Sequence, residues 1–222
     1  MFGTTFFADN ISGGGIDSYT VLMLHLDNSV IDSGYSPKTI TNNSVTFSNS
    51  IYKFGGYSGQ FDGTASYLST PLVSDFQFPN DFTVDLWIYP TALPLVWSYI
   101  IGTENWSAGG AGWAITLDSL GKIGFDVENN SGTILAGSIS INNWYHIAAV
   151  RSGSTMTLYI NGLSVGTAST AVSVGGVNNL QVGKAPAGLP YLYSGDKDEI
   201  RISKGIARWT GNFTPPSSPY TT

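Results

Sequence analysis

The motif DEIRIS, residues 198–203, places a carboxylate where the strand pattern predicts burial. If Asp198, Ile200 and Ile202 lie on one strand, their side chains point to the same face, because strand side chains alternate with a period of two. A face that carries two isoleucines is expected to be the buried one. Because an isolated buried carboxylate is costly, Asp198 is expected to pair with a cation or to bind a metal ion.

Residues that could carry out hydrolysis are sparse in this sequence. Glycoside hydrolysis needs two carboxylates at one bond, but the only glutamates, Glu104, Glu128 and Glu199, lie far apart in the chain. His25 and His146 are isolated, and the segment GYSGQ lacks the second glycine of a Gly-x-Ser-x-Gly nucleophile elbow. The sequence also lacks a Walker loop, a dinucleotide-binding glycine fingerprint and an EF-hand loop. We therefore expect a protein that is not an enzyme.

Aromatic residues in candidate loops offer a different chemistry, because flat rings stack on sugar faces and need little ordering. Trp106 is the strongest candidate, since it lies among small residues in TENWSAGGAG. The other candidates are Trp97 and, in GLPYLYSG, the pair Tyr191 and Tyr193. Exposed aromatic residues also mark protein interfaces, so these side chains predict contact with either a glycan or another protein.

The first 18 residues differ from the rest of the chain. Three phenylalanines, Phe2, Phe6 and Phe7, precede a GGG run at 13–15, a pattern that indicates an apolar arm followed by a hinge. The alternatives are a leading strand or a disordered leader. We find no secretory signal pattern and no stretch of about 18 apolar residues that would predict a membrane span.

The composition favours one all-β domain, residues 19–222, behind this arm. Only 11% of the residues are charged, whereas 27 are Gly, 10 are Pro and 13% are aromatic, which is typical of many short strands joined by tight turns. The net charge of −6 makes a nucleic-acid partner improbable. The absence of cysteine excludes disulfides and a thiolate zinc site.

Strand patterns recur along this domain. In FTVDLWIYP, 82–90, apolar residues at every second position from Phe82 to Ile88 alternate with another set of residues, which includes Asp85. This alternation predicts a half-buried strand. The segment 143–168 predicts a three-stranded meander, with a type I′ turn at Asn161-Gly162. Further strands are expected in VLMLHL, YLST, WSYIIG, GWAITLD, KIGFDV, TILAGSI, LQVG and DEIRIS.

The order of several motifs resembles the concanavalin A-like lectin/glucanase superfamily and, within it, the laminin-G-like jelly-roll domains. The motifs are LMLHLDNSVIDSG, FGGYSGQFDGTASYLST, DFTVDLWIYP, WYHIAAVRSGSTMTLYINGLSVGTA and DEIRISKGIARWTGNFTPP. This resemblance covers about residues 20–216 and implies an antiparallel two-sheet jelly-roll sandwich. The last motif looks like versions found in structural proteins of bacteriophage.

The resemblance also implies a site for a structural calcium ion, formed by Asp27 in HLDNS and Asp198 in DEIRI through side chains or carbonyls. The alternative is that Asp198 accepts hydrogen bonds from backbone amides, Lys197 or Arg201, without a metal. The glucanase branch uses a Glu-x-Asp-x-x-Glu pattern, which this sequence lacks.

Two functions follow as expectations. The first is a structural, decoration or fibre protein of a bacteriophage virion, which would dock on capsid or tail proteins through its arm and form homo-oligomers. The second is a carbohydrate-binding lectin that recognises a cell-surface glycan on the host. These two functions are compatible with each other. A glycosidase is a third possibility, for which the sequence offers no paired acids.

Overall fold

The computed structural model describes most of the chain, namely residues 15–104, 112–127, 133–170, 173–175, 178–186 and 189–221. Trp106 and the arm residues Phe2, Phe6 and Phe7 lie outside the described residues, so their roles stay predictions. The described residues form one short 3₁₀ helix, Ser74–Phe76, and fifteen strands. The strands are β1 (Thr20–Leu24), β2 (Thr41–Asn43), β3 (Thr46–Ser48), β4 (Ser58–Asp62), β5 (Tyr67–Thr70), β6 (Phe82–Pro90), β7 (Trp97–Gly102), β8 (Trp113–Asp118), β9 (Ile123–Val127), β10 (Ile134–Ala136), β11 (Tyr145–Ser152), β12 (Thr155–Ile160), β13 (Leu163–Ser169), β14 (Leu180–Val182) and β15 (Ser194–Lys204).

The strands form two antiparallel sheets that pack as a sandwich. The first sheet has the order β13-β12-β11-β6-β15-β4-β3, and β1 also pairs with β15. The second has the order β10-β9-β8-β7-β14-β5-β2. Apolar side chains from both sheets, such as Leu86 and Ile115, share one core. The predicted all-β jelly-roll sandwich is confirmed. Within the described ranges, no helix has the length and apolar character needed to cross a bilayer.

The predicted meander is present as β11, β12 and β13, which are neighbours in the first sheet. Asn161 and Gly162 join β12 to β13 with φ angles of 51° and 77°. A two-residue type I′ turn requires positive φ at both central positions, which Asn-Gly adopts at low cost.

Strand β6 departs from its prediction, because both of its faces are buried. The second face is covered by residues 205–221, which we call the C-terminal strap. The stacked rings of Trp209 and Phe213 in the strap lie edge-on to His146 of β11. The Tyr220 hydroxyl donates to Asp85 of β6 over 2.5 Å. The prediction of a half-buried strand is therefore wrong, since periodicity along β6 does not reveal a distant segment that covers it.

Asp85 is balanced by cations as well as by the strap. Its carboxylate accepts from Arg201 Nε over 3.0 Å, and both side chains are fully buried. Burial would raise the pKa of Asp85, but Arg201 and His146 outweigh burial and lower this pKa to about 2.

The same region joins the two ends of the described chain, because the Ile16 amide donates to the Thr221 carbonyl over 2.8 Å.

A bulge in β15 places the Asp198 side chain on the opposite face of the sheet from the one predicted. On β6, Asp198 lies opposite Trp87 and Arg201 lies opposite Asp85, so three steps along β15 match two along β6. Glu199 takes up the extra residue with a φ of 49°. Ile200 and Ile202 still face the core. Asp198 lies on the opposite face with Trp87, so its predicted place beside the two isoleucines is wrong.

The charged side chain that does point into the core is Lys197. Its Nζ lies 4.0 Å from the ring centre of Phe61 and 3.2 Å from that of Tyr193. It has no hydrogen-bond partner among the described residues. Burial holds the pKa of Lys197 well below its usual range, and the neighbouring Asp196 offsets this only in part. An ammonium group at this position is therefore costly.

We expect Lys197→Met to raise the free energy of unfolding by about 1–3 kcal/mol, because methionine fills a similar volume without a polar group that must be desolvated. The contact with the two rings offsets only part of the several kcal/mol needed to bury an ammonium ion. Denaturation in guanidinium chloride measures the change.

Lys184→Met is the matched control, since Lys184 also lies over a ring, that of Tyr67, but is only half-buried. It should change the unfolding free energy by less than about 0.5 kcal/mol. A Lys197→Met variant that is less stable than the wild type would show that the buried amine stabilises the core.

Candidate functional site

A groove of about 430 Å³ crosses the outer face of the second sheet. One row of its residues crosses four neighbouring strands in register: Tyr99 of β7 lies opposite Thr116 of β8, then Gly124 of β9 and Leu135 of β10. Their neighbours along the strands face the core, so alternation directs this row outward. The complete lining is Trp97, Tyr99, Thr116, Gly124, Asp126, Thr133, Leu135, Leu189 and Tyr191.

Small residues keep the floor of the groove open. A Cβ atom on Gly124 would lie 2.2 Å from Thr116 Oγ1 and 3.5 Å from Asp126 Oδ2, so a side chain at 124 would fill this space. Ala114 lies opposite Asp126 in the next row. The groove therefore owes part of its depth to the absence of a side chain at Gly124.

Aromatic side chains form one wall of the groove. We define the aromatic wall as Trp97, Tyr99 and Tyr191. The rings of Tyr99 and Tyr191 are nearly parallel, with an angle of 4° between their planes and 6.4 Å between their centres. The Tyr99 hydroxyl donates to Glu104 Oε2 over 3.0 Å, which fixes the ring, and Glu104 is almost fully buried. The wall is thus a held surface on which a flat ligand could stack.

Two polar groups on the floor face this wall. Thr116 Oγ1 is buried and has no hydrogen-bond partner among the described residues. Asp126 is 8% exposed. Burial raises the pKa of Asp126, while a hydrogen bond with the Thr133 side chain lowers it in part. A bound hydroxyl could satisfy both groups, because a hydroxyl both donates and accepts.

The structure brings together some of the aromatic residues that the sequence singles out. Trp97 and Tyr191 line the same groove. Tyr193 is fully buried between the two sheets, with Phe61 and Lys197 against its ring, so its prediction as a surface contact is wrong. Tyr99 was not predicted, although it shares a phase with Trp97 in WSYIIG, and that shared phase was the available signal.

Asp27 and Asp198 approach one loop from two sides. The amides of Lys53 and Phe54 donate to Asp198 Oδ2 over 2.8 and 3.0 Å. The Tyr57 amide bonds to Asp27, which follows the end of β1. Gly55 has a φ of 61°, and a Cβ atom there would overlap the Asp27 carboxylate. The loop at 53–57 therefore ties the two aspartates together and covers Asp198, which is fully buried.

Each of these two aspartates has one oxygen atom that could bind a hard cation. Asp27 Oδ1 and Asp198 Oδ1 are both buried and lack a hydrogen-bond partner within the described part of the chain. Burial raises the pKa of Asp198 to about 8, against the lowering effect of the two amides. Leu26 and Glu199, which precede and follow the two aspartates, have positive φ angles of 63° and 49°. Such outliers cluster at ligand sites.

The alternative roles of Asp198 are also resolved by these contacts. Backbone amides do bind its carboxylate, as the alternative without a metal predicted, and they are those of Lys53 and Phe54. Lys197 faces the core and Arg201 pairs with Asp85, so neither partner predicted for Asp198 is available. Among the described residues, no group of three or more His, Cys, Asp or Glu could hold a metal. Any remaining ligands would have to be carbonyl oxygens or water, which Ca²⁺ accepts.

The family of the chain is established by a family model. The model Laminin_G_3, of the concanavalin A-like lectin/glucanases superfamily, matches residues 62–207. This match spans more than half of the chain, so the protein belongs to that family. No match is found among curated protein sequences.

Solved structures share the fold at low sequence identity. Domain 4 of AbnA, an extracellular arabinanase from Geobacillus stearothermophilus, solved with arabinotriose, has a TM-score of 0.62 and 21% identity over 85% of this chain and 93% of that chain. The ligand-binding domain of botulinum neurotoxin serotype D, solved with N-acetylneuraminic acid, has a TM-score of 0.69 and 15% identity over 90% of this chain and 50% of that chain. The binding domain of Paraclostridial mosquitocidal protein 1 has a TM-score of 0.68 and 15% identity, over 89% and 51% of the two chains.

Proposed function

We propose that the protein is a carbohydrate-binding module that holds a glycan in the groove of the second sheet. One observation carries this proposal: the aromatic wall and the floor line one groove, and on the floor Thr116 Oγ1 lacks a partner among the described residues and lies beside Asp126. A sugar has an apolar ring face and hydroxyl groups at its edge. It can therefore satisfy the wall and the floor at the same time.

The structural neighbours support this proposal. The arabinanase domain was solved with arabinotriose and the toxin domain with N-acetylneuraminic acid, so the shared fold serves sugar binding in other proteins. Among the residues that line this groove, Trp97 and Tyr191 are half-buried, which leaves part of each ring accessible to a ligand.

We propose binding without turnover. Glycoside hydrolysis uses two carboxyl groups about 5–10 Å apart on either side of the scissile bond. Of the described residues that line the groove, Asp126 alone carries a carboxyl group. The nearby Glu104 accepts the Tyr99 hydroxyl behind the aromatic wall and is 1% exposed, so it does not face the groove.

Removal of either accessible ring should weaken glycan binding. We expect Trp97→Ala and Tyr191→Ala each to lower the affinity for glycans bound on an oligosaccharide array about tenfold, which is 1.4 kcal/mol, because the stacking surface is lost. Trp106→Ala carries the same expectation from the sequence alone.

Tyr35→Ala is the control for these variants, because Tyr35 is 72% exposed and lies next to β1 of the first sheet. It should bind like the wild type, and circular dichroism should show all variants folded. Wild-type binding to no member of the array, or full binding by both groove variants, would contradict the proposed function.

We also propose that Asp27 and Asp198 hold a structural Ca²⁺ ion. Each aspartate contributes a carboxylate oxygen that lacks a partner within the described residues. A divalent cation would neutralise the buried carboxylate of Asp198 and the half-buried carboxylate of Asp27, and it would join the end of β1 to β15 and the 53–57 loop. The ion would thus stabilise the contact between the first and last strands and would not contact a ligand in the groove.

Calcium should raise the melting temperature of the wild type by about 5–10 °C at 100 times its Kd, since this concentration gives about 2.7 kcal/mol and each kcal/mol shifts Tm by about 2–4 °C in a domain of this size. We expect Asp198→Asn to lose this response without losing stability in a chelator, because asparagine keeps an oxygen that can accept from the two amides and carries no charge. Asp75→Asn, at a surface carboxylate that pairs with Lys38, should keep the response. Equal Tm values with calcium and with chelator would rule out the site.

The bacteriophage role stays a prediction from the sequence resemblance, as do capsid or tail partners, homo-oligomers and a location in the virion. One geometric feature favours display. Gly15 and Thr221 lie beside Arg201 and Tyr220 on the outer face of the first sheet, whereas the groove is on the second. A partner bound near Gly15 and Thr221 would therefore lie on the sheet opposite the groove.

Deletion of residues 1–14 tests this role. We expect the shortened protein to remain folded and to bind glycans as before, but to be missing from assembled particles. Its mass in solution, compared with that of the full chain, reports whether self-association depends on the arm. Incorporation of the shortened chain at wild-type levels would refute docking through the arm.

A further inference from the structure

The described residues that line the groove carry charge of one sign. Among the described lining residues, Asp126 is acidic and none is Lys, Arg or His. A ligand in this groove therefore meets a carboxylate on the floor without a basic side chain among the described lining residues.

The cations that lie closest in sequence to the groove strands have other positions. Lys184 follows β14 and lies over the ring of Tyr67 on β5, with 4.4 Å from Nζ to the ring centre. β5 is two strands away from β7 in the second sheet. Lys122 precedes β9, is exposed, and is not among the lining residues. It extends from the turn that also holds Asp118, beyond Trp97 at one end of the groove.

The floor is built to accept hydrogen bonds. Asp126 is 8% exposed and Thr116 is 3% exposed, and both oxygen atoms flank the space above Gly124. A carboxylate only accepts hydrogen bonds, and a threonine hydroxyl accepts as well as donates. Hydroxyl groups of a neutral sugar supply the matching donors. A ligand carboxylate supplies only further acceptors at this place.

We infer that the groove selects neutral glycans over acidic ones, and that Asp126 is the residue that determines this selection. The inference rests on the proposed function and narrows its ligand class. Two carboxylates in one shielded groove repel each other, and the site must then take up a proton or a cation to hold both. The sugars of the two structural neighbours do not decide this point, because arabinotriose is neutral and N-acetylneuraminic acid is acidic.

An array of matched glycan pairs tests the inference. Each pair shares one backbone and differs by a carboxylate, for example galactose oligomers with galacturonate oligomers and lactose with sialyllactose. At neutral pH and moderate salt, the wild type should bind the neutral member at least tenfold more tightly. In Asp126→Asn this ratio should fall by at least fivefold, because the amide keeps the shape but removes the charge.

Two control variants separate a local effect of Asp126 from a change in net charge. Asp75→Asn removes the same charge from a surface pair with Lys38 and should keep the wild-type ratio. Lys122→Ala removes the exposed cation next to the groove and should also keep it. Loss of selectivity in Asp75→Asn as well would assign the effect to the net charge and would overturn the role of Asp126.

The outcomes distinguish this inference from the function on which it rests. Equal or tighter binding of acidic members by the wild type, with binding lost in Trp97→Ala, would overturn the inference but leave glycan binding in the groove intact. Neutral preference that is unchanged in Asp126→Asn would overturn the role of Asp126. Binding to no member of any pair would overturn the proposed function and the inference together.

Discussion

The bulge at Glu199 is the constraint on which the arrangement of charges in this protein depends. Strand β15 pairs with β6 along one side and with β4 and then β1 along the other, so its phase affects the whole first sheet. The extra residue turns Lys197 and Ile200 inward and sends Asp198 and Arg201 to the outer face. There Arg201 meets Asp85, and Asp198 meets the 53–57 loop. Without the bulge, one of these charged groups would have to enter the core.

The outer faces of the two sheets have opposite roles. The first is covered by the C-terminal strap, whose aromatic rings and Tyr220 bury Asp85, His146 and Arg201. This face is satisfied internally and offers little to a ligand. On the second sheet, Gly124 has no side chain to fill the space between Thr116 Oγ1 and Asp126 Oδ2, and a groove remains there. If all outward side chains of this sheet were large, its outer surface would be flat. The groove therefore depends on small residues that lie opposite each other on neighbouring strands.

Much of the fold could be predicted from the sequence, because alternation and turn chemistry are local. The meander around Asn161 and Gly162 is an example, since neighbouring residues determine both which side chains of a strand face the core and the type of turn. The face on which Asp198 lies was predicted wrongly, because it depends on a bulge that the local sequence does not signal. This bulge places a non-glycine residue, Glu199, at positive φ, and no residue type near it signals this conformation. Likewise, burial of the second face of β6 depends on a strap more than 100 residues away in the sequence.

The candidate site was harder to predict than the fold, because it is assembled across strands rather than along one. Tyr99, Thr116, Gly124 and Leu135 come from four strands and meet only through register, which depends on the bulge between Tyr99 and Ile101 of β7 and on the pairs that follow it. Each of these residues alone is ordinary in a strand. Trp97 and Tyr191 could be proposed because aromatic residues in predicted loops and at strand ends are candidates for stacking on a sugar. The sequence gives no such signal for the polar residues of the floor, because they form a site only through their neighbours on adjacent strands.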